Sequence, residues 1–155
     1  MSQPLLTPTA LRRASLDAVL GFAWDAEAFT ASDVIDEVGL TRATANEVIE
    51  ELVARGLLAE LPNARAVGEY RKGRPARRFE FRPDAGFVVG VDAGQSRLTA
   101  TVSDLRGENR AVCHLLLDPN ASTPEIRRRP AARVGDEALA QGQISRAHIV
   151  AVWGG

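Results

Sequence analysis

The sequence predicts an α+β chain: an N-terminal winged helix-turn-helix followed by a strand-rich α/β lobe. Three helical patterns open it, and the second and third are separated only by "GL". Two short strand patterns around a turn-rich loop come next, completing the helix-helix-helix-hairpin order of a winged helix. Beyond "PDAG" at 83 to 86 the pattern switches to longer strands, which predicts two domains, 1–83 and 84–155.

In the first helical pattern, "ALRRASLDAVLGFAWD", Leu16, Val19, Leu20 and Ala23 recur at helical spacing. The second, "TASDVIDEVG", begins on Thr30 with Asp33 three residues on, a capping-box arrangement. Val34, Ile35 and Val38 form its apolar stripe, and Gly39 ends it. The third, "TRATANEVIEELVARG", sets Ala45, Val48, Ile49, Leu52 and Val53 along one continuous face. Thr41 is its predicted N-cap and Gly56 its stop. "LLAEL" and "RFEFR" then read as the two strands of a hairpin, joined by "PNARAVGEYRKGRPAR".

In the second half, "FVVGVD", "RLTATVSDL" and "AVCHLLLD" read as successive strands with "AGQS" and "RGEN" as turns. A helical segment from about residue 122 to 142 precedes a fourth strand, "AHIVAVW". Pro130 and Gly135 fall inside that helix, where they cost roughly 3 and 1 kcal/mol relative to alanine, so a break or kink near Arg129, or a poorly ordered stretch, is expected.

Composition narrows the function classes. The chain has 155 residues, 45% of them hydrophobic and 25% charged, with a net charge of -1, so any electrostatic signal must be local. The single cysteine, Cys113, excludes an internal disulfide and a thiolate metal cluster, and it reads as an inert buried thiol. His114 and His148 lie in strand-like contexts without partner ligands, so no metal site and no cofactor are expected. Neither a secretory leader nor an apolar run of spanning length is seen, which predicts a cytoplasmic location and no membrane partner.

One local signal stands out. A helix entering the major groove presents its N-terminal residues to the bases, and here these are Thr41, Arg42, Ala43, Thr44 and Asn46. Arginine pairs bidentately with guanine, asparagine with adenine, and threonine bonds a phosphate or touches a thymine methyl. Glu47, Glu50 and Glu51 come later, where the helix is expected to leave the groove. Between Arg65 and Arg82, seven basic residues (Arg65, Arg71, Lys72, Arg74, Arg77, Arg78, Arg82) stand against Glu69 and Glu80, a local net of +5. A basic hairpin tip beside a reading helix is suited to grip the DNA backbone or minor groove, with Arg65, Arg71, Lys72, Arg74 and Arg77 as its contacts.

The stretch "LTRATANEVIEELVARGLLAEL" resembles the reading helix of the ROK family of transcriptional repressors and sugar kinases. "GEYRKGRPARRFEFRPDAGFVVGVDAGQSRLTATVSDLRGE" is more specific. Its "GRPARR" wing leading into G-x-D-x-G and a DL-x-G turn is typical of actinobacterial members. The resemblance implies a second domain of actin/hexokinase (ribonuclease H-like) type, in which Asp92, Gly94, Gln95 and Ser96 correspond to the first nucleotide-phosphate loop. It implies a double-stranded operator, a homodimer, and a sugar or sugar-phosphate effector in full-length relatives.

The family's catalytic aspartate, sugar-contacting residues and zinc site lie downstream of the fourth strand, where this chain reads "AVWGG". The expectation is therefore a non-enzymatic regulator, a repressor of carbohydrate-metabolism genes, truncated within its effector domain, with the phosphate loop vestigial and no catalytic residue. A gene remnant is one explanation of that truncation. The alternative reading is an interaction module that pairs with full-length relatives. Val88, Val89, Val91, Leu98 and Leu115 to Leu117 are expected to lack cover, favouring self-association. Sugar kinase activity is the third class, and it lacks the metal-binding and acceptor-activating groups that phosphoryl transfer requires.

Overall fold

The computed structural model describes residues 7–62, 76–118 and 124–154, with the backbone alone for 124–127. The chain folds as two compact units, Met1–Arg82 and Pro83–Gly155.

In the first unit, α1 spans Pro8–Asp25, α2 Ala31–Val38 and α3 Arg42–Ala54; the strands are β1 (Phe29–Thr30), β2 (Leu58–Leu61) and β3 (Arg78–Phe81). Each helix begins on a threonine whose hydroxyl accepts an otherwise orphan amide. Thr7 takes the N–H of Ala10 at 3.3 Å, Thr30 that of Asp33 at 3.3 Å, and Thr41 that of Thr44 at 3.2 Å. Asp33 completes the capping box by accepting the Thr30 N–H at 2.6 Å.

The two inter-element turns are set by glycines in the left-handed region, Gly39 at φ 75° and Gly56 at φ 74°. At Gly56 the Leu57 N–H reaches back to the Leu52 carbonyl at 3.0 Å, a Schellman closure that swings the chain from α3 into β2.

The strands form one antiparallel sheet in the order β1-β3-β2. The sequence predicts only the hairpin β2–β3. The third strand, β1, is two residues long, and it aligns Phe29 opposite Phe79 with their rings 6.1 Å apart. Phe22 meets Phe29 edge-on at 5.4 Å, which ties α1 to that sheet. Val19, Ala23, Val34, Ala45, Val48, Ile49, Leu52, Leu58, Phe79 and Phe81 complete the core.

The second unit contains β4 (Phe87–Ala93), β5 (Arg97–Asp104), β6 (Asn109–Leu116), α4 (Pro124–Gln141) and β7 (Ile149–Gly154), in a sheet ordered β6-β5-β4-β7. The first three strands form an antiparallel meander, and β7 returns through α4 to lie parallel to β4. Alternate residues of β5 (Leu98, Ala100, Val102) face Val134, Ala138 and Leu139 of α4.

The structure corrects several expectations. Val89 and Leu98 are buried in this core, and Val91, Leu115 and Leu117 are half-buried against it, because α4 covers that face; Val88, which alternates onto the other face, is also half-buried. Of the apolar set only Leu116 is broadly exposed, at 80%. No break occurs near Arg129: α4 runs through Pro130 without interruption. The burial of Val134, Ala138 and Leu139 outweighs the local propensity. Cys113 is half-exposed rather than buried, and its Sγ donates to Gln141 Oε1 at 2.9 Å. His148 lies in a 3₁₀ turn, Arg146–His148, rather than in the strand.

One polar group is locked into this unit. Asp104 is 2% exposed. Its Oδ1 accepts the N–H groups of Arg106 (2.9 Å) and Glu108 (3.0 Å), and its Oδ2 accepts Arg110 Nη2 at 2.7 Å. This closes the β5–β6 turn around Gly107, which sits at φ 82°.

Candidate nucleic-acid interface

Burial of Ala45, Val48, Ile49 and Leu52 fixes which side of α3 faces the core. The opposite side of its first two turns carries Arg42, Ala43, Asn46 and Glu47, all exposed. Thr41 is exposed at the N-cap, where its hydroxyl lies 2.9 Å from that of the half-buried Thr44. The structure therefore gathers all five predicted reading residues at one end of one helix. Arg42 and Asn46, one turn apart, also line a cleft with Ser32 of α2 and with Arg77.

The rear of α3 is electrostatically quiet. Glu51 is shared between Arg12 of α1 and Arg55. Glu50 pairs with Arg77, whose Nε and Nη2 also bind the two oxygens of Glu60 at 2.9 and 2.6 Å. The hydrogen bonds that Arg77 donates to Glu60, and then to Glu50, hold its guanidinium well above its ordinary pKa, against the opposing effect of burial. Its guanidinium carbon also lies 5.2 Å from the Phe79 ring centre. Arg77, read from sequence as a wing contact, is thus fastened to α3 and β2. Arg65, Arg71, Lys72 and Arg74 lie outside the described residues.

Sequence reasoning did not single out Arg12 or Arg55. Arg55 could have been found, since it lies four residues after Glu51. The pairing of Arg12, in contrast, spans 39 residues and carries no local signal.

In the second unit, Asp92, Gly94, Gln95 and Ser96 lie at the tight β4–β5 turn. The Gly94 N–H bonds the Arg97 carbonyl at 2.9 Å, and a Cβ on Gly94 would meet that same oxygen at 3.1 Å. Asp92, Gln95 and Ser96 are exposed. Among the described residues no group of three His, Cys, Asp or Glu is placed to hold a metal, and no helix is long and apolar enough to cross a membrane.

No protein-family model matches the chain, and no curated protein matches it in sequence. Among solved structures, it is similar to the crystal structure of a ROK family transcriptional regulator, a homologue of the E. coli MLC protein. The TM-score is 0.61, with 17% identity over 92% of this chain. The two share a fold. The match takes in 35% of the regulator, so the chain spans about a third of that protein's length.

Proposed function

We propose that the chain is a DNA-binding transcriptional regulator of the ROK type. In this reading residues 1–83 form a winged helix-turn-helix, and residues 84–155 form the opening part of a sugar-kinase-like, ribonuclease H-like lobe. The observation that carries it is the end of α3. Arg42, Ala43 and Asn46 are exposed beside the Thr41 cap, while the acids Glu50 and Glu51 behind them are neutralised by Arg77, Arg12 and Arg55. With those two acids paired, the helix can present a guanidinium and a carboxamide to base edges with less repulsion from phosphate.

In this mechanism α3 enters the major groove of an operator, and Arg65, Arg71, Lys72 and Arg74 on the wing grip the backbone. Arg77 holds the wing's return strand to α3. One such module buries a modest interface, so a homodimer on a symmetric site is the expected binding form. The resemblance to ROK repressors makes genes of carbohydrate metabolism the expected targets, with a sugar or sugar phosphate as effector in full-length relatives. By the resemblance Asp92, Gly94, Gln95 and Ser96 correspond to a phosphate loop, and the reading is non-enzymatic.

Selection from a pool of randomised duplex DNA, followed by titration at several salt concentrations, tests the proposal. A recovered consensus that binds at least about a thousandfold tighter than random duplex is expected. Equal binding to all sequences would overturn it.

A second reading, an interaction module that pairs with longer relatives or with itself, is favoured by β7. Its Val150, Val152 and Trp153 are 62%, 72% and 70% exposed. Light scattering across a concentration series tests this, and a monomer at every concentration, alone and with a full-length relative, would remove it.

A further inference from the structure

Glu47 is the one acid of α3 whose place the ion-pair pattern does not explain. Glu50 and Glu51 are both taken up by arginines, whereas Glu47 has no ion-pair or hydrogen-bond partner among the described residues. It is exposed one turn after Ala43, on the side of the helix opposite the buried Ala45–Val48–Ile49–Leu52 stripe. Asn46 precedes it, and Thr44, one turn back, lines a groove with it beside Arg12 and Ser15 of α1. Arg12 itself is committed to Glu51.

Resting on the DNA-binding reading above, we infer that Glu47 is a specificity-determining residue that selects a cytosine in the operator by accepting a hydrogen bond from its N4 amino group. An ionised carboxylate can only accept, so against DNA it needs a donor. Phosphates repel it, and the donors on the major-groove floor are the amino groups of cytosine and adenine. Adenine sets its N7 acceptor next to its N6 amino group, which would face the second carboxylate oxygen unfavourably. Cytosine presents no such acceptor. Ala43, one turn ahead, has no long side chain to hold the helix away from the bases. The reading face then carries three chemistries: a fivefold donor at Arg42, a donor-acceptor at Asn46 and a pure acceptor at Glu47.

The test uses the full chain and its Glu47→Gln and Glu47→Ala variants, each selected against the same pool of randomised duplex DNA. Since Glu47 is exposed, both variants should keep the wild-type circular dichroism and melting curve. The wild type is expected to recover a site with an invariant cytosine on one strand. Glu47→Gln should move that one position to adenine, which a carboxamide reads bidentately. Glu47→Ala should leave the position degenerate, with discrimination there falling by roughly 5- to 150-fold while binding to random duplex stays equal or rises. If both variants recover the wild-type site unchanged at every position, the role of Glu47 is refuted and the DNA-binding reading stands. If the wild type recovers no site at all, both fail together.

Discussion

Arg77 lies bidentate against Glu60, with Nε and Nη2 2.9 and 2.6 Å from its two carboxylate oxygens, and the same guanidinium reaches Glu50 on α3. One side chain therefore joins the strand leading out of the loop to the helix proposed to read DNA.

Replacing Arg77 by alanine frees the charge of Glu50. The pairs are close to half exposed, so the stability loss should stay within about 1 kcal/mol per pair. DNA affinity should fall more, through repulsion between Glu50 and phosphate. The double variant Arg77→Ala/Glu50→Ala should recover most of that loss in an equilibrium titration. A double variant as weak as the single one would show instead that Arg77 itself touches the backbone.

Arg42→Ala and Asn46→Ala should each weaken binding to a selected site by about 1–3 kcal/mol and leave binding to random duplex nearly unchanged. Substitutions at Arg71, Lys72 or Arg74 should instead weaken all duplexes alike and reduce the slope of log K against log salt by about 1 for each phosphate no longer neutralised. Parallel titrations on both duplexes separate the two classes.

Thr30→Ala removes the acceptor for the Asp33 amide at the start of α2 and should cost about 1 kcal/mol in urea denaturation. Asp33→Ala leaves the Thr30 N–H without its 2.6 Å partner. Since the two side chains also share a hydrogen bond at 2.8 Å, the double variant should lose less than the sum of the singles.

Asp104→Ala should destabilise the second unit by about 3 kcal/mol, since two backbone amides and a guanidinium lose a buried acceptor together. Arg110→Ala should cost less, because Arg110 is 43% exposed and the two backbone N–H groups still hold the carboxylate. Thermal unfolding of both variants ranks them.

Pro130→Ala should stabilise the second unit by as much as about 3 kcal/mol, because proline supplies no N–H to the turn before it and α4 is unbroken there. A rise in melting temperature is the expected result. An unchanged value would mean that the helix already relieves the proline locally.

The helices were legible in the sequence because their signals are local. Thr30 and Asp33, or Thr41 and Gly56, act within one turn, and the apolar stripe of α3 repeats often enough to declare its period. β1 was not legible: two residues cannot show an alternation, and only the distant Phe79 makes Phe29 a strand residue. The continuity of α4 is hidden for a similar reason, since the sheet that holds Val134 and Ala138 is invisible to helix propensity. At the candidate interface, the exposed tip could be read from periodicity. The partner of Glu50 could not, because Arg77 lies 27 residues away.

The arrangement of charge along α3 also has a kinetic side. With its rear carboxylates held by Arg12, Arg55 and Arg77, and the exposed Arg42 guanidinium lying ahead of the Glu47 carboxylate, unpaired among the described residues, the helix is a polar rod seen from solution. A polyanion approaching from a distance feels a torque before it feels any contact, and the encounter is biased toward tip-first arrival. Loosening those three pairs would first appear as a slower association rate, most pronounced at low ionic strength, while the lifetime of the finished complex changed little.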